Sequence, residues 1–244
     1  MNNNFSVKEL VWDTEYFGVN SARVILNGVL SKENQSTVIN EMKRYDFITI
    51  ENLNNLNENN IWLGKMDNIF LADMNVQFEK EIQKEENSSD IESYIYNSFP
   101  ENKEVKNIAQ NEFIHSRFIN DPYLSTCKKN NVYLHWINSA FNKKNKYFII
   151  TKRENEIAGF ILFSKNDDKT IIVELIAVDK RFANKRVGKS LMSKLEEFSF
   201  QNKFTKIQVG TQINNIVANN FYSKLNYRFK GCSSIYHLWN SMNY

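Results

Sequence analysis

The chain has 244 residues, 42% of them hydrophobic and 14% aromatic, and a formal net charge of +3. That apolar content excludes a disordered chain, and the length allows one large domain or two modest ones. So small a net charge excludes the broad basic field of a dedicated nucleic-acid binder, and no nucleic-acid partner is expected.

The first hundred residues alternate short elements. FSVKELVW and SARVIL read as strands by alternation and β-branching, KENQSTVINEMKRY as a helix, and DFITI and NIFLADMNVQFE as strands again. ENLNNLNENN (51–60) is an Asn-rich stretch with no periodicity of its own. A charged run over 79–90 and Pro100 place a boundary near residue 100, between an N-terminal α/β domain (1–100) and a second domain (101–244). Residues 103–141 read as largely helical, interrupted at Asp121-Pro122 because Pro disfavours helix in the residue before it. KYFIIT, IAGFILFS and TIIVELIAV, joined by polar turns, form an antiparallel meander. ANKRVGKSLMSKLEEFSFQN then sets Val187, Leu191, Leu195 and Phe198 on one helical face; FTKIQVG is strand, NNIVANNFYSKL helix and YRFKGCSSIYHLW strand. The order predicts an α/β fold with a mixed, mostly antiparallel central sheet flanked by helices.

Glycine and proline are scarce while Asn is abundant, so Asn is expected at positive φ where other chains use Gly. Cys127 and Cys232 lack CxxC spacing and a neighbouring His cluster, which argues for reduced, structural thiols. His115, His135 and His237 are scattered, and Asp13, Glu15 and Asp121 show no ligand spacing, so no metal is expected. No basic patch precedes an apolar run at the N-terminus, and no stretch reaches membrane-spanning length; a cytoplasmic protein without a membrane partner is expected.

The loop NKRVGKSL (184–191) poses a choice between two chemistries. Its GKS looks like the end of a P-loop, but that motif needs a Gly five residues before Gly188, where Ala183 stands. P-loops also follow the first strand of a parallel sheet, whereas this loop follows the meander with only the last quarter of the chain remaining. Strand 171–178, a short turn and a helix beginning at the loop instead aim backbone N–H groups and a positive helix end at one anion. The final helix carries a second pattern, Asn215, Ala218, Tyr222 and then KLNYRF. Together, over residues 145–240, these features resemble the GNAT superfamily of acetyl-CoA-dependent N-acetyltransferases.

That resemblance implies acetyl-CoA as co-substrate and assigns roles residue by residue. Tyr222 matches the tyrosine next to the thiol and is the expected general acid, the alternative being a tyrosine that merely packs. Glu174, in an otherwise apolar strand, is expected to be partly desolvated and to serve as general base, the alternative being a pair with a lysine. The backbone of Ile176, Ala177 and Val178 is expected to polarise the thioester and pair with the pantetheine arm like an added strand. Arg186, Val187, Gly188, Lys189 and Ser190 form the expected pyrophosphate cradle, with Asn215 and Ala218 also against the coenzyme. Two positions depart from the family. Arg186 stands where the loop R/Q-x-x-G-x-G/A has its first Gly, and either adds a cation beside the phosphates or crowds the loop. Asn226 replaces the usual Gly before the last strand, a mild swap at a left-handed C-cap.

Two further stretches, LVWDTEYFGVNSARV (10–24) and FIHSRFINDPYLS (113–125), resemble segments of bacterial amino-sugar acetyltransferases of the dTDP-fucosamine type. In those enzymes the acceptor is a dTDP-linked aminodideoxyhexose destined for surface polysaccharide. By position, His115, Arg117 and Phe118 are expected to line the acceptor side, with Arg117 meeting a phosphate and an aromatic stacking on a base or sugar. The alternative is that SRF holds a helix elbow together. The N-terminal domain is expected to contribute to that acceptor site, and SSIYHLWNSMNY offers a strand for pairing across a homodimer. Three readings stay open: an N-acetyltransferase for a nucleotide-linked amino sugar, one for another amine such as a protein N-terminus, polyamine or antibiotic, and a non-catalytic acyl-CoA-binding protein.

Overall fold

The structure, a computed structural model, describes residues 4–83, 91–124, 128, 131–167 and 169–240. Ten strands make one sheet: β1 (Phe5–Glu9), β2 (Ser21–Leu26), β3 (Phe47–Asn52), β4 (Ile69–Glu81), β5 (Ser93–Asn97), β6 (Tyr147–Arg153), β7 (Glu156–Lys165), β8 (Thr170–Val178), β9 (Lys206–Gln212) and β10 (Arg228–Trp239). Their order is β1-β2-β3-β10-β4-β9-β8-β7-β6-β5. β2 with β3 and β8 with β9 are parallel, and the other neighbours are antiparallel. The mixed, mostly antiparallel sheet is the one the sequence pattern predicts.

The helices are α1 (Val11–Phe17), α2 (Lys32–Met42), α3 (Asn57–Leu63), α4 (Lys103–Asn111), α5 (Arg117–Asn120), α6 (Val132–Ala140), α7 (Val187–Gln201) and α8 (Ile216–Lys224). They cover both faces of the sheet, because alternate strand residues are apolar on both sides. On one face Val24, Ile50 and Leu238 pack with Leu63 of α3, and Val76, Phe78 and Val209 pack with Leu191 and Leu195 of α7 and Tyr222 of α8. On the other, Phe148, Phe160 and Leu162 meet Ile108 of α4 and Ile137 of α6, while Phe47 and Trp239 meet Phe17 of α1 and Phe118 of α5.

Three elements differ from the sequence reading. Val11 and Trp12 open α1 rather than extending β1; Phe17, 8% exposed, packs on Phe47 and Phe118, so tertiary burial overrides their β propensity. The Asn-rich stretch contains α3, held by the buried Asn59, which accepts from Leu30 N–H (3.1 Å) and donates to the Gly28 carbonyl (3.0 Å) and Asn52 Oδ1 (3.1 Å). β5 forms the sheet edge beside β6, where no strand was expected.

β4 precedes residue 100 yet lies between β9 and β10, so the sheet runs continuously across the expected boundary. β10 is flanked by β3 and β4, and the sheet edges are β1 and β5. Ser234–Trp239 is therefore paired on both edges and offers no free edge for strand pairing with a second copy; residues 241–244 lie outside the described residues. Asn takes positive φ at 54, 55, 68, 142, 155, 184 and 226, as the shortage of glycine suggests. Cys232 is a free thiol, and Cys127 lies outside the described residues.

Candidate active site

β8 and β9 pair from Thr170–Lys206 to Val173–Val209 and then diverge. On its other edge β8 stays paired with β7 as far as Val178, but Leu162 opposes Leu175 while Phe163 opposes Val173, leaving Glu174 out of register. This β-bulge inverts the alternation along β8. Ile171, Val173, Ile176 and Val178 pack on the α7 face, whereas Leu175 and Ala177 pack on the α4 and α6 face. A bulge bends the strand that carries it, and here the bend accompanies an opening in the sheet. A cavity of about 830 Å³ occupies that opening and is lined from both faces.

On the α7 face the cavity meets the N-terminal end of that helix. The first bond within α7 runs from Ser190 N–H to the Arg186 carbonyl (3.0 Å). The N–H groups of Val187, Gly188 and Lys189 thus lie at the positive end of the helix with no partner in it. Gly188 gives the closeness needed: a Cβ there would meet the Phe221 ring at 3.2 Å. Arg186 holds the loop in the left-handed region (φ 63°), the conformation that makes glycine the common choice at this point. It lines the cavity and also a 300 Å³ depression shared with Arg153 and Lys185. Ile176, Ala177 and Val178 wall the cavity beyond the last β8–β9 pair. Asn215 caps α8 by accepting from Ala218 N–H (3.1 Å), and both residues border the cavity. Tyr222 is 3% exposed, wedged among Phe78, Phe221 and Tyr227, and its hydroxyl makes no hydrogen bond with any described residue. Burial alone pushes its phenol well above the ordinary value, so it stays protonated.

Ser190 does not join this wall. It is 1% exposed, its Oγ donates to the Ile91 carbonyl (2.7 Å) and bonds to Ser93 Oγ (2.8 Å), tying α7 to β5. With its own N–H taken by Arg186, neither of its polar groups is left for phosphate.

The opposite face forms a polar and aromatic chamber. His115, Arg117 and Phe118 all border the cavity. Arg117 lies 4.0 Å from the Phe118 ring, and its Nε is buried without a partner. Burial lowers its guanidinium below the ordinary value, with Asp13 pulling the other way. Phe118, however, is 6% exposed and packs on Phe17, so it is core with one edge on the cavity rather than a stacking platform. The sequence reading missed the real aromatic ladder, Phe113 on Tyr133 (4.4 Å) and Tyr133 on Trp136 (6.3 Å). It also missed Asp73, Asn75 and Gln77, which point alternate β4 positions into the chamber. That alternation is visible in ADMNVQF, where polar residues recur at every second position.

Glu174 borders the chamber at the bulge but is not an unpaired base. It forms an ion pair with Lys146 and accepts from Trp136 Nε1 (3.4 Å), so the pairing alternative is the one realised. His237 is fully buried: its Nδ1 lies 2.6 Å from Asp121 Oδ2, which also accepts from Trp239 Nε1 (3.1 Å). That network fastens the end of α5 to β10. Among the described residues, no group of three or more His, Cys, Asp or Glu side chains is placed to hold a metal, and no helix is long and apolar enough to cross a membrane.

SpsD, a spore coat polysaccharide biosynthesis protein of Bacillus subtilis (strain 168), is 28% identical over 132 residues, covering 54% of this chain and 45% of that protein's length. A functionally unknown conserved protein from Staphylococcus epidermidis ATCC 12228 has a TM-score of 0.67 at 10% identity, covering 98% of this chain and 92% of the other. A GCN5-related N-acetyltransferase from Sphaerobacter thermophilus has a TM-score of 0.58 at 8% identity, covering 97% and 76%. At such identities the two structures show a shared fold. Residues 103–227, half of the chain, match the acetyltransferase (GNAT) family, and the chain belongs to that family.

Proposed function

We propose that the protein transfers an acetyl group from acetyl-CoA to the amine of a nucleotide-linked aminodideoxyhexose used for surface polysaccharide. The observation that carries this reading is the cavity lined from both faces of the sheet, with an anion cradle on one side and a polar, aromatic chamber on the other. Val187, Gly188 and Lys189 would hold the pyrophosphate and the open edge of β8 the pantetheine arm, while bound acetyl-CoA supplies the thioester. Arg117 and the Phe113–Tyr133–Trp136 ladder suit a ligand with both a phosphate and flat rings. The likeness to a protein named for spore coat polysaccharide biosynthesis supports the same acceptor class.

The Tyr222 hydroxyl acts at the sulfur. A thiol titrates near 8.5, below a phenol, so full proton transfer from tyrosine to thiolate is uphill. Tyr222 therefore donates a hydrogen bond to the sulfur as charge develops, and the thiol is completed by the proton that the amine loses. The direct test is thiol release with acetyl-CoA and a panel of dTDP- and UDP-amino sugars, free amino acids, polyamines and peptides. The proposal expects turnover on nucleotide-linked amino sugars; turnover confined to polyamines or peptides refutes it, and coenzyme A binding without turnover of any amine favours a non-catalytic binder.

A further inference from the structure

Glu174 is tied to Lys146, which leaves the acceptor chamber in need of a group to take a proton from the amine. β4 provides a carboxylate of the right kind. Asp73 is 7% exposed, borders the cavity and pairs in register with Ile235 of β10, itself on the cavity wall. It accepts from the Met74 backbone N–H, and no cation among the described residues forms an ion pair with it. Arg117, His115 and Tyr133 interact with it electrostatically across the cavity they all border. Arg117 is also drawn to the buried Asp13, and at Asp73 the effect of burial outweighs the pull of Arg117 and His115. A buried carboxylate that makes no ion pair gains from a cation arriving with the ligand, and the ligand class expected here brings an ammonium.

We propose, resting on the acetyltransferase reading above, that Asp73 binds the acceptor's ammonium and serves as the general base. The carboxylate takes one proton from the ammonium to give the free amine. Nitrogen then forms the C–N bond, the C–S bond breaks with its electron pair on sulfur, and the second nitrogen proton ends on the thiol. Asp73 returns its proton to solvent, so the reaction needs no further reactant. Burial raises the Asp73 carboxyl above its ordinary value, bringing it nearer the working pH of a base without neutralising it by a partner.

The test compares Asp73→Asn, Asp73→Ala and Glu174→Gln in the thiol-release assay with an accepted amino-sugar substrate. Asp73→Asn is expected to lower kcat/KM about 100-fold or more near neutral pH, with the loss shrinking as pH rises through the amine's range of about 8. Coenzyme A affinity, read by calorimetry, is expected to stay within about twofold. Added formate is expected to restore part of the activity of Asp73→Ala, which a merely structural role would not allow. Glu174→Gln is expected to cost less than about tenfold. A kcat/KM for Asp73→Asn within about threefold of wild type, a loss equal at every pH, or no formate rescue overturns the role of Asp73. Wild-type protein that acetylates no amine refutes the acetyltransferase reading itself, so the two failures are separable.

Discussion

Replacing Tyr222 by Phe separates packing from chemistry at a single atom. The ring is held by Phe221 (5.4 Å), Phe78 (5.6 Å) and Tyr227 (6.1 Å), and Phe keeps all of these contacts. Burial alone acts on the hydroxyl, with no hydrogen bond to a described residue, so its removal leaves no donor or acceptor unsatisfied. Stability is therefore expected to hold or to rise by up to about 1 kcal/mol. At the transition state the variant lacks a hydrogen bond to a charged sulfur, worth about 1.5–3 kcal/mol. At 1.36 kcal/mol per decade, that predicts a fall in kcat of about 10- to 150-fold with little change in acetyl-CoA KM. Because burial raises the phenol, Tyr222 does not titrate below its ordinary value of about 10, and the wild-type to variant ratio should be flat from about pH 6 to 9. Thermal melting and steady-state thiol release measure both halves. An unchanged kcat, or a large drop in Tm with kcat falling in step, refutes the assignment.

Ser190→Ala is expected to cost about 1–3 kcal/mol in Tm-derived stability through its bonds to Ser93 and Ile91, and to leave coenzyme A affinity unchanged; a large affinity loss would return it to the phosphate cradle. Arg186→Gly relieves a left-handed side chain at 63° and should leave stability equal or slightly higher, while weakening coenzyme A binding by up to about fivefold at low salt. Tighter binding would instead mean that Arg186 crowds the loop. Gly159→Ala would place a Cβ 2.8 Å from the Ala177 carbonyl, so it should lower stability by about 1–3 kcal/mol and loosen the β8 wall; an unchanged melting temperature contradicts this.

The loop at Gly188 and the Asn215–Ala218–Tyr222 series were legible because helix starts and caps are local, and local spacing survives in sequence. Arg117 came from the resemblance of FIHSRFINDPYLS rather than from local spacing. Glu174 stood between two readings because its neighbours in sequence are apolar, while Lys146 reaches it only through the folded sheet. Ser190 sits one turn into α7, and nothing in VGKSLMS shows that its side chain faces β5 rather than solvent. β4 carried the hardest information. Its polar alternation marks a half-buried strand, but only its insertion between β9 and β10 brings Asp73 to the acceptor chamber. Strand order is a non-local property, and the sequence alone does not state it.

The central claim is that one cavity through the sheet holds coenzyme on the α7 face and acceptor on the α5 and α6 face. A crystal structure with coenzyme A bound tests it most directly. The account predicts pyrophosphate on the N–H groups of Val187, Gly188 and Lys189, the pantetheine arm along Ile176 to Val178, and the sulfur beside the Tyr222 hydroxyl, with Asp73 open across the slot. Coenzyme A seated away from the β8–β9 opening, or its sulfur remote from Tyr222, would contradict it.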